Sequence, residues 1–164
     1  MKPSTFSFSK EEQEKLEIYC CLIKSWQKKV NLVGASTLEN MWERHVIDSA
    51  QLYHLLPPVQ EGKVLYDIGS GAGFPGLILA MMGNKKIHLV ESDQKKCTFL
   101  REVSMLSETN VTVHQNRIED LEYFDVELIT ARALAPLNKL IDYAEAFTKN
   151  SSTNQKLPKL LFLK

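Results

Sequence analysis

The segment Tyr66-Asp67-Ile68-Gly69-Ser70-Gly71-Ala72-Gly73-Phe74-Pro75-Gly76 alternates three glycines and then closes on Pro75-Gly76. Glycines so spaced allow positive φ and let a ligand lie directly against backbone. Pro75 suits the first turn of a following helix, because it has no N–H to leave unpaired. The amides of such a helix start favour an anionic group. Glu91 ends the next apolar run, where a carboxylate can accept the hydroxyls of a ribose. Two more polar segments fall at comparable places, Asn116-Arg117-Ile118-Glu119-Asp120 after a third run and Thr130-Ala131-Arg132-Ala133 after a fourth. Together these residues read as a nucleoside-binding edge.

Two cofactor classes fit such an edge. Gly71-x-Gly73-x-x-Gly76 matches the dinucleotide fingerprint G-x-G-x-x-G, a match that is weak by itself. The longer D-x-G-x-G-x-G from Asp67 to Gly73 is similar to the loop of S-adenosylmethionine-dependent methyltransferases. Asp67 suits a site holding a positive ammonium or sulfonium and is less natural directly under a pyrophosphate. In that reading Ile118 packs on the adenine, Glu119 or Asp120 accepts from its amino group, and Arg132 is a cofactor or phosphate ligand. The Asn-Pro-Pro-aromatic tetrapeptide that grips exocyclic amines is absent, as is the Pro-Cys of cytosine carbon methylation. The expected target is therefore a ring nitrogen or another atom needing no such clamp. Ser70 lacks the outer glycines of G-x-S-x-G, and no phosphate loop ending in Gly-Lys-Ser/Thr is present.

The elements that must position these residues follow from periodicity. Lys63–Ile68, Lys86–Glu91, Val111–Gln115, Val126–Thr130 and Lys159–Lys164 are short apolar runs that read as strands. Pro75–Met82, Asp93–Ser107 and Pro136–Phe147 read as intervening helices. Alternation of this kind predicts an α/β fold, a doubly wound, mostly parallel sheet of Rossmann-like type. Two helices come first. Ser9-Lys10-Glu11-Glu12 is a capping box, followed at helical spacing by Leu16, Tyr19, Cys20, Ile23 and Val30. Asn31–Ser36 is a break. Thr37 is expected to cap a second helix carrying Met41, Trp42, His45, Val46, Ser49 and Leu52 on one side, ended by Pro57-Pro58. The expected organisation is a helical extension over 1–60 and a ligand-binding domain over 61–164. Ser151–Lys156 reads as a polar connector. A doubly wound sheet rarely stops on a strand, so C-terminal strands are expected to be missing.

The chain has 164 residues, 20 Lys+Arg and 20 Asp+Glu, so its overall charge neither demands nor excludes nucleic acid. Charge is uneven: Ala131–Lys164 carries six bases against two acids, Lys63–Thr130 seven against ten. A basic end is compatible with a phosphate-binding face, for which Lys139, Lys149, Lys156 and Lys159 are the candidates. Cys20, Cys21 and Cys97 form neither a disulfide framework nor a zinc spacing. A cytoplasmic protein without metal or membrane segment is the expectation, most simply a monomer.

Several segments together carry a resemblance. Asn31-Leu32-Val33, Arg44-His45-Val46-Ile47-Asp48-Ser49, the Asp67–Gly76 loop, Val90-Glu91-Ser92, Arg117-Ile118-Glu119 and Ala131-Arg132-Ala133 occur in this order. They resemble the bacterial small-subunit ribosomal RNA guanine-N7 methyltransferases, also called the glucose-inhibited division protein B family, over roughly residues 10 to 164. The resemblance implies a Rossmann-like class I methyltransferase acting on a guanine of 16S rRNA, free or within the small-subunit particle, with S-adenosyl-L-methionine as cofactor. It implies cofactor contacts at Gly69, Phe74, Ile118, Glu119 and Arg132, and a ribose contact at Glu91. To these the reading of the loop adds Asp67 and Gly71. Asn31 and His45 resemble positions on the RNA side, and no catalytic residue is assigned. The family continues beyond the Leu-Lys that stands here as Leu163-Lys164, with a glycine and two more strands. Two other readings stay open: an NAD-dependent oxidoreductase using Gly71, Gly73 and Gly76, and a non-catalytic RNA-binding domain.

Overall fold

A computed structural model describes residues 6–57, 64–83, 86–121, 126–132, 136–149 and 158–163. Five strands form one sheet: β1 (Val64–Ile68), β2 (Ile87–Glu91), β3 (Val111–Gln115), β4 (Val126–Arg132) and β5 (Lys159–Leu163). Their order is β3-β2-β1-β4-β5, and every neighbouring pair is parallel. The expected doubly wound α/β fold is therefore the one observed. Strand order reverses between β1 and β4, and ligands of such sheets bind outside the carboxyl ends at that point.

Alternate side chains of the strands feed two apolar layers, as the pleat requires. Leu65, Ile87, Leu89 and Leu128 join a larger cluster with α1 (Lys10–Trp26), α4 (Gly76–Met81) and α5 (Gln94–Leu106). Val64, Tyr66, Ile68, Val90, Ile129 and Ala131 face the other way and meet Leu140 of α6 (Leu137–Lys149). Leu16, Tyr19 and Ile23 of α1 are fully buried in the first layer beside Phe99 and Leu100. Each such burial stabilises by about 1.5–3 kcal/mol relative to exposure.

Local chemistry sets the helix ends. The capping box is formed: Glu12 N–H donates to Ser9 Oγ at 3.2 Å and Ser9 N–H to Glu12 Oε2 at 2.7 Å. The helix stops at Trp26, so Val30 lies in the turns beyond it rather than on the helix. Asp93 caps α5 through the Lys96 amide at 2.9 Å.

The second helical region departs from expectation. Thr37 does not cap it: a short α2 (Ala35–Leu38) begins after Gly34, and the Thr37 hydroxyl donates backwards to Gly34 O at 2.8 Å. The chain then runs through a π-helical turn, Trp42–Ile47, the brief α3 (Asp48–Ala50) and a 3₁₀ turn, Gln51–Leu55. Met41, His45, Val46, Ser49 and Leu52 are buried and Trp42 is half-buried against the same cluster, so the predicted face turns inward although the winding is not a plain α-helix. Strand β4 also runs longer than expected, placing Ala131 and Arg132 within it rather than after it. Lys63, Pro58, Ala133, the 151–156 connector and Lys164 lie outside the described residues.

Candidate functional site

The chain leaves β1 through three positive-φ glycines, Gly69 (66°), Gly71 (55°) and Gly73 (99°), and enters α4 after Pro75. At Gly73 a Cβ would overlap the Leu77 side chain, and at Gly76 it would stand 2.8 Å from the Asp67 Cβ and Oδ2. Bare backbone is thus required both by conformation and by the closeness of helix to strand. The loop is pinned from within: Ser70 N–H donates to Val90 O at 3.0 Å, Gly73 N–H to Ser70 O at 2.6 Å, and Ser70 Oγ to Asp67 O at 2.8 Å. Ser70 is buried and engaged with backbone, as a structural rather than nucleophilic hydroxyl would be.

Beside the loop lies a cavity of about 430 Å³ at the carboxyl edge of the sheet. Its walls come from the end of each central strand: Gly69 and Gly71 after β1, Val90, Glu91 and Ser92 at β2, Asn116 to Glu119 after β3, and Arg132 at β4. Lys96 of α5 and Lys139 and Tyr143 of α6 complete it. Four cationic side chains, Lys96, Arg117, Arg132 and Lys139, face two carboxylates there, Glu91 and Glu119. Such a lining suits a polar ligand bearing both hydroxyl and anionic groups.

Six of the eight sequence-predicted cofactor residues meet at this cavity: Gly69, Gly71, Glu91, Ile118, Glu119 and Arg132. Asp67 and Phe74 do not line it. Asp67 is wholly buried under the loop, where its Oδ1 accepts from the Thr130 hydroxyl at 2.7 Å. Burial raises its pKa to about 6, against the lowering effect of hydrogen bonds from Thr130, Ser70 and Gly76. Phe74 is buried between three partners: the His45 ring stacks on it at 4.9 Å, the Tyr19 ring lies at 5.4 Å, and the Arg132 guanidinium carbon at 5.7 Å. Arg132 Nη2 donates to Arg44 O at 2.8 Å, whereas its Nη1 is buried without a hydrogen-bond partner. Glu91 is engaged twice, accepting from Gly71 N–H at 2.9 Å and from Asp93 N–H at 2.8 Å.

The two residues expected on the RNA side, Asn31 and His45, stand away from the cavity walls. Asn31 is exposed and accepts from Gln27 Nε2 at 3.2 Å. His45 hydrogen bonds Thr37 Oγ1 at 2.9 Å through Nε2, and not Asp48, the partner that a helical i+3 spacing offers. The Thr37 proton is already committed to Gly34 O, so Thr37 accepts and Nε2 carries the imidazole proton. Nδ1 is then a bare acceptor, buried and without a partner. Burial, with Arg132 and Arg44 adding to it and Asp48 opposing, lowers the His45 pKa to about 4. The ring is therefore neutral at physiological pH.

Residues 12–155 match the family model described as GidB, rRNA small subunit methyltransferase G. The chain belongs to this family. The ribosomal RNA small subunit methyltransferase G of Paramagnetospirillum magneticum is 50% identical over 137 residues, covering 83% of this chain and 65% of that protein. The protein of the same name from Rhodospirillum rubrum is 45% identical over 151 residues, 90% of this chain and 74% of that one. The chain thus spans about two thirds to three quarters of the length of these relatives. Among solved structures, the magnesium protoporphyrin IX methyltransferase of Synechocystis, with bound SAM, aligns over 96% of this chain and 77% of its own at a TM-score of 0.58 and 11% identity. TYW2 of M. jannaschii, in complex with AdoMet, aligns over 73% and 51% at 0.55 and 16% identity. Likeness at that identity establishes the fold.

Sequence reasoning missed Ser92, Lys96 and Tyr143 as wall residues of a family member's cavity, whereas Asn116 falls in a segment it had singled out. Ser92 directly follows the end of β2, a position that was itself a sufficient signal. Lys96 lies in the first turn of α5 and Tyr143 more than one turn inside α6, and neither follows a strand end. No helix among the described residues is long and apolar enough to cross a membrane.

Proposed function

We propose that this chain is an S-adenosylmethionine-dependent methyltransferase acting on N7 of a guanine in 16S ribosomal RNA. The observation that carries this reading is the juxtaposition of Glu91 and Arg132 around one cavity bordered by Gly69 and Gly71, in a chain of the rRNA small subunit methyltransferase G family. The residues fit the cofactor. Glu91 offers lone pairs beyond the two already used, since a carboxylate has about four acceptor sites, and these suit a ribose. Arg132 Nη1, buried without a partner, suits the carboxylate of the amino-acid moiety. Ile118 offers an apolar surface to the adenine and Glu119 an acceptor to its amino group, while Gly69 and Gly71 admit the ligand to the backbone. Asp67 and Phe74 serve from beneath, by holding the loop. The neighbouring folds solved with bound SAM or AdoMet support the same cofactor.

When bound, the cofactor supplies a methyl group carried on a sulfonium. Guanine N7 has a free lone pair at neutral pH, so no proton must be removed before attack and no side chain is assigned as general base. Rate enhancement then rests on holding the two reactants in line. The product base is cationic. His45, held neutral and with Nδ1 as a bare acceptor, adds no opposing charge near the Phe74 side of the site. A base within folded RNA reaches such a site by leaving its stack. Asn31, His45 and Lys139 are the proposed RNA-side residues.

The test is transfer of labelled methyl to 16S rRNA and to small-subunit particles, followed by mapping of the modified base. Label at a guanine N7 supports the reading; label at another atom or none overturns it. Thermal shift separates the nicotinamide alternative, because a ligand that binds the native state raises its stability. Stabilisation by NAD and not by S-adenosylhomocysteine reverses the cofactor assignment.

A further inference from the structure

We infer that Tyr19, on the N-terminal helix, is a positioning residue for the cofactor loop. Its hydroxyl donates to the backbone carbonyl of Ala72 at 2.6 Å, across 53 positions of sequence, and the side chain is wholly buried. Ala72 lies between Gly71 and Gly73, both in positive φ. The peptide between Ala72 and Gly73 is held at its N–H by Ser70 O at 2.6 Å and at its carbonyl by Tyr19, with positive-φ glycines on either side of Ala72. The Tyr19 ring also packs on Phe74 at 5.4 Å and on Phe99 at 6.3 Å, which fixes where the hydroxyl stands.

The contact continues toward the ligand. Gly71, one residue before Ala72, gives its N–H to Glu91, whose carboxylate lines the cavity. The Tyr19 bond on Ala72 O and the Glu91 bond on Gly71 N–H thus hold two neighbouring peptides of the same turn. With the hydroxyl gone, a buried carbonyl loses its donor, and that peptide is left held by the Gly73 N–H bond to Ser70 O alone, so that the glycines beside Ala72 let the turn shift. The shifted loop no longer offers the same backbone to the cofactor. Helix α1 by this account supports the loop from behind, and none of its residues lines the cavity. The inference rests on the proposed cofactor.

The test compares two variants of the 164-residue chain, each removing one hydrogen bond that ties α1 to the rest. Tyr19→Phe deletes the bond to Ala72. Trp26→Phe deletes the bond from Trp26 Nε1 to Glu102 Oε2, 3.2 Å long and remote from the loop. Calorimetry with S-adenosylhomocysteine is run at a temperature where all three proteins are folded by circular dichroism. Tyr19→Phe is expected to weaken binding about tenfold, equivalent to about 1.4 kcal/mol, and Trp26→Phe to leave it unchanged while lowering Tm. In steady state the cofactor KM rises in Tyr19→Phe and the RNA KM does not. Hydrogen exchange of the Gly71, Ala72 and Gly73 amides, without ligand, quickens in Tyr19→Phe alone. Wild-type affinity in Tyr19→Phe, or equal losses in both variants, overturns the positioning role while leaving the cofactor assignment intact. Failure of the wild type to bind S-adenosylhomocysteine sinks the cofactor assignment and this inference with it.

Discussion

Glu91 Oε2 accepts the backbone N–H of Gly71 at 2.9 Å across 20 positions of sequence, so one carboxylate both borders the cavity and holds the loop beside it. Removing that carboxylate has two effects. The cofactor loses its ribose acceptor, and the loop loses an anchor. Hydrogen bonds to charged groups are worth roughly 1.5–3 kcal/mol. Glu91→Ala is therefore expected to weaken S-adenosylhomocysteine binding by about 10- to 100-fold in calorimetry. Glu91→Gln keeps one acceptor oxygen and is expected to fall between. Equal affinity in all three proteins would remove Glu91 from the binding site.

Gly73→Ala tests the loop itself. Gly73 has φ 99°, and its Cβ would overlap Leu77 and approach Leu100. Alanine at positive φ costs more than the ~0.4–1 kcal/mol that a tolerated Gly→Ala exchange contributes, and the overlap adds to it. Tm is expected to drop by several degrees and cofactor affinity to fall together. Gly34, where an added Cβ meets only the Thr37 Oγ1 at an ordinary 3.7 Å, is the control. Gly34→Ala leaves cofactor affinity as it was.

The strands and the loop were legible in sequence because both rest on short-range signals. A run such as Val64–Ile68, apolar and β-branched in part, ends where glycines begin, and Glu91 closes the next run in the same way. The family likeness was legible from Arg44 to Ser49 and Asp67 to Gly76 for the same reason. What was not legible depends on long-range packing. Periodicity cannot distinguish a π-helical turn from an α-helical one over Trp42–Ile47, since either buries His45 and Val46. Nothing near Tyr19 marks its hydroxyl as reaching Ala72. Thr37 reads as a cap because threonine favours caps, yet its oxygen is needed by His45 instead. Arg132 falls inside β4 because pairing with β5 continues to Leu163.

Asp67 gives a pH signature. Its folded pKa is raised to about 6, chiefly by burial, above the ordinary value of 3.8. Between those values the folded chain keeps a proton that the unfolded chain has lost. Stability from this residue is therefore present below about pH 4, declines as pH rises toward 6, and is absent above it. Asp67→Asn cannot titrate. The Tm of the wild type minus that of Asp67→Asn is expected to fall between pH 4 and 6 and then level off. A difference that is constant across this window, or that rises, refutes the shifted carboxyl.

Thr37 sets the protonation pattern of His45. Its oxygen accepts from Nε2–H at 2.9 Å and leaves Nδ1 as the bare acceptor beside Phe74. Thr37→Val removes that acceptor while keeping the side-chain shape. Nitrogen-15 spectra of the histidine rings are expected to show His45 moving from the Nε2–H form toward a mixture. If His45 serves the RNA side, methyl transfer falls by about tenfold, about 1.4 kcal/mol, with cofactor affinity unchanged. Loss of cofactor affinity instead would place Thr37 and His45 with the nucleoside site.

Lys139 decides between two uses of the basic end. It lines the cavity from α6, its Nζ lying 5.7 Å from the Tyr143 ring centroid. Lys159 is exposed on β5, whereas Lys156 and the side chain of Lys149 fall outside the described residues. A lysine on an RNA phosphate releases a counterion, so its loss weakens binding at low salt and reduces the slope of log K against log salt by about 0.7–0.9. A lysine on the cofactor changes cofactor affinity and leaves that slope alone. Because Lys139 belongs to the basic end of the chain, with six bases against two acids from Ala131 to Lys164, the RNA role is expected. Lys139→Ala should therefore bind a 16S rRNA fragment more weakly at 50 mM salt, with a shallower salt dependence, while its affinity for S-adenosylhomocysteine stays within twofold of wild type. An unchanged slope with a weakened cofactor moves Lys139 into the nucleoside site and leaves Lys159 to carry the test of a phosphate-binding face.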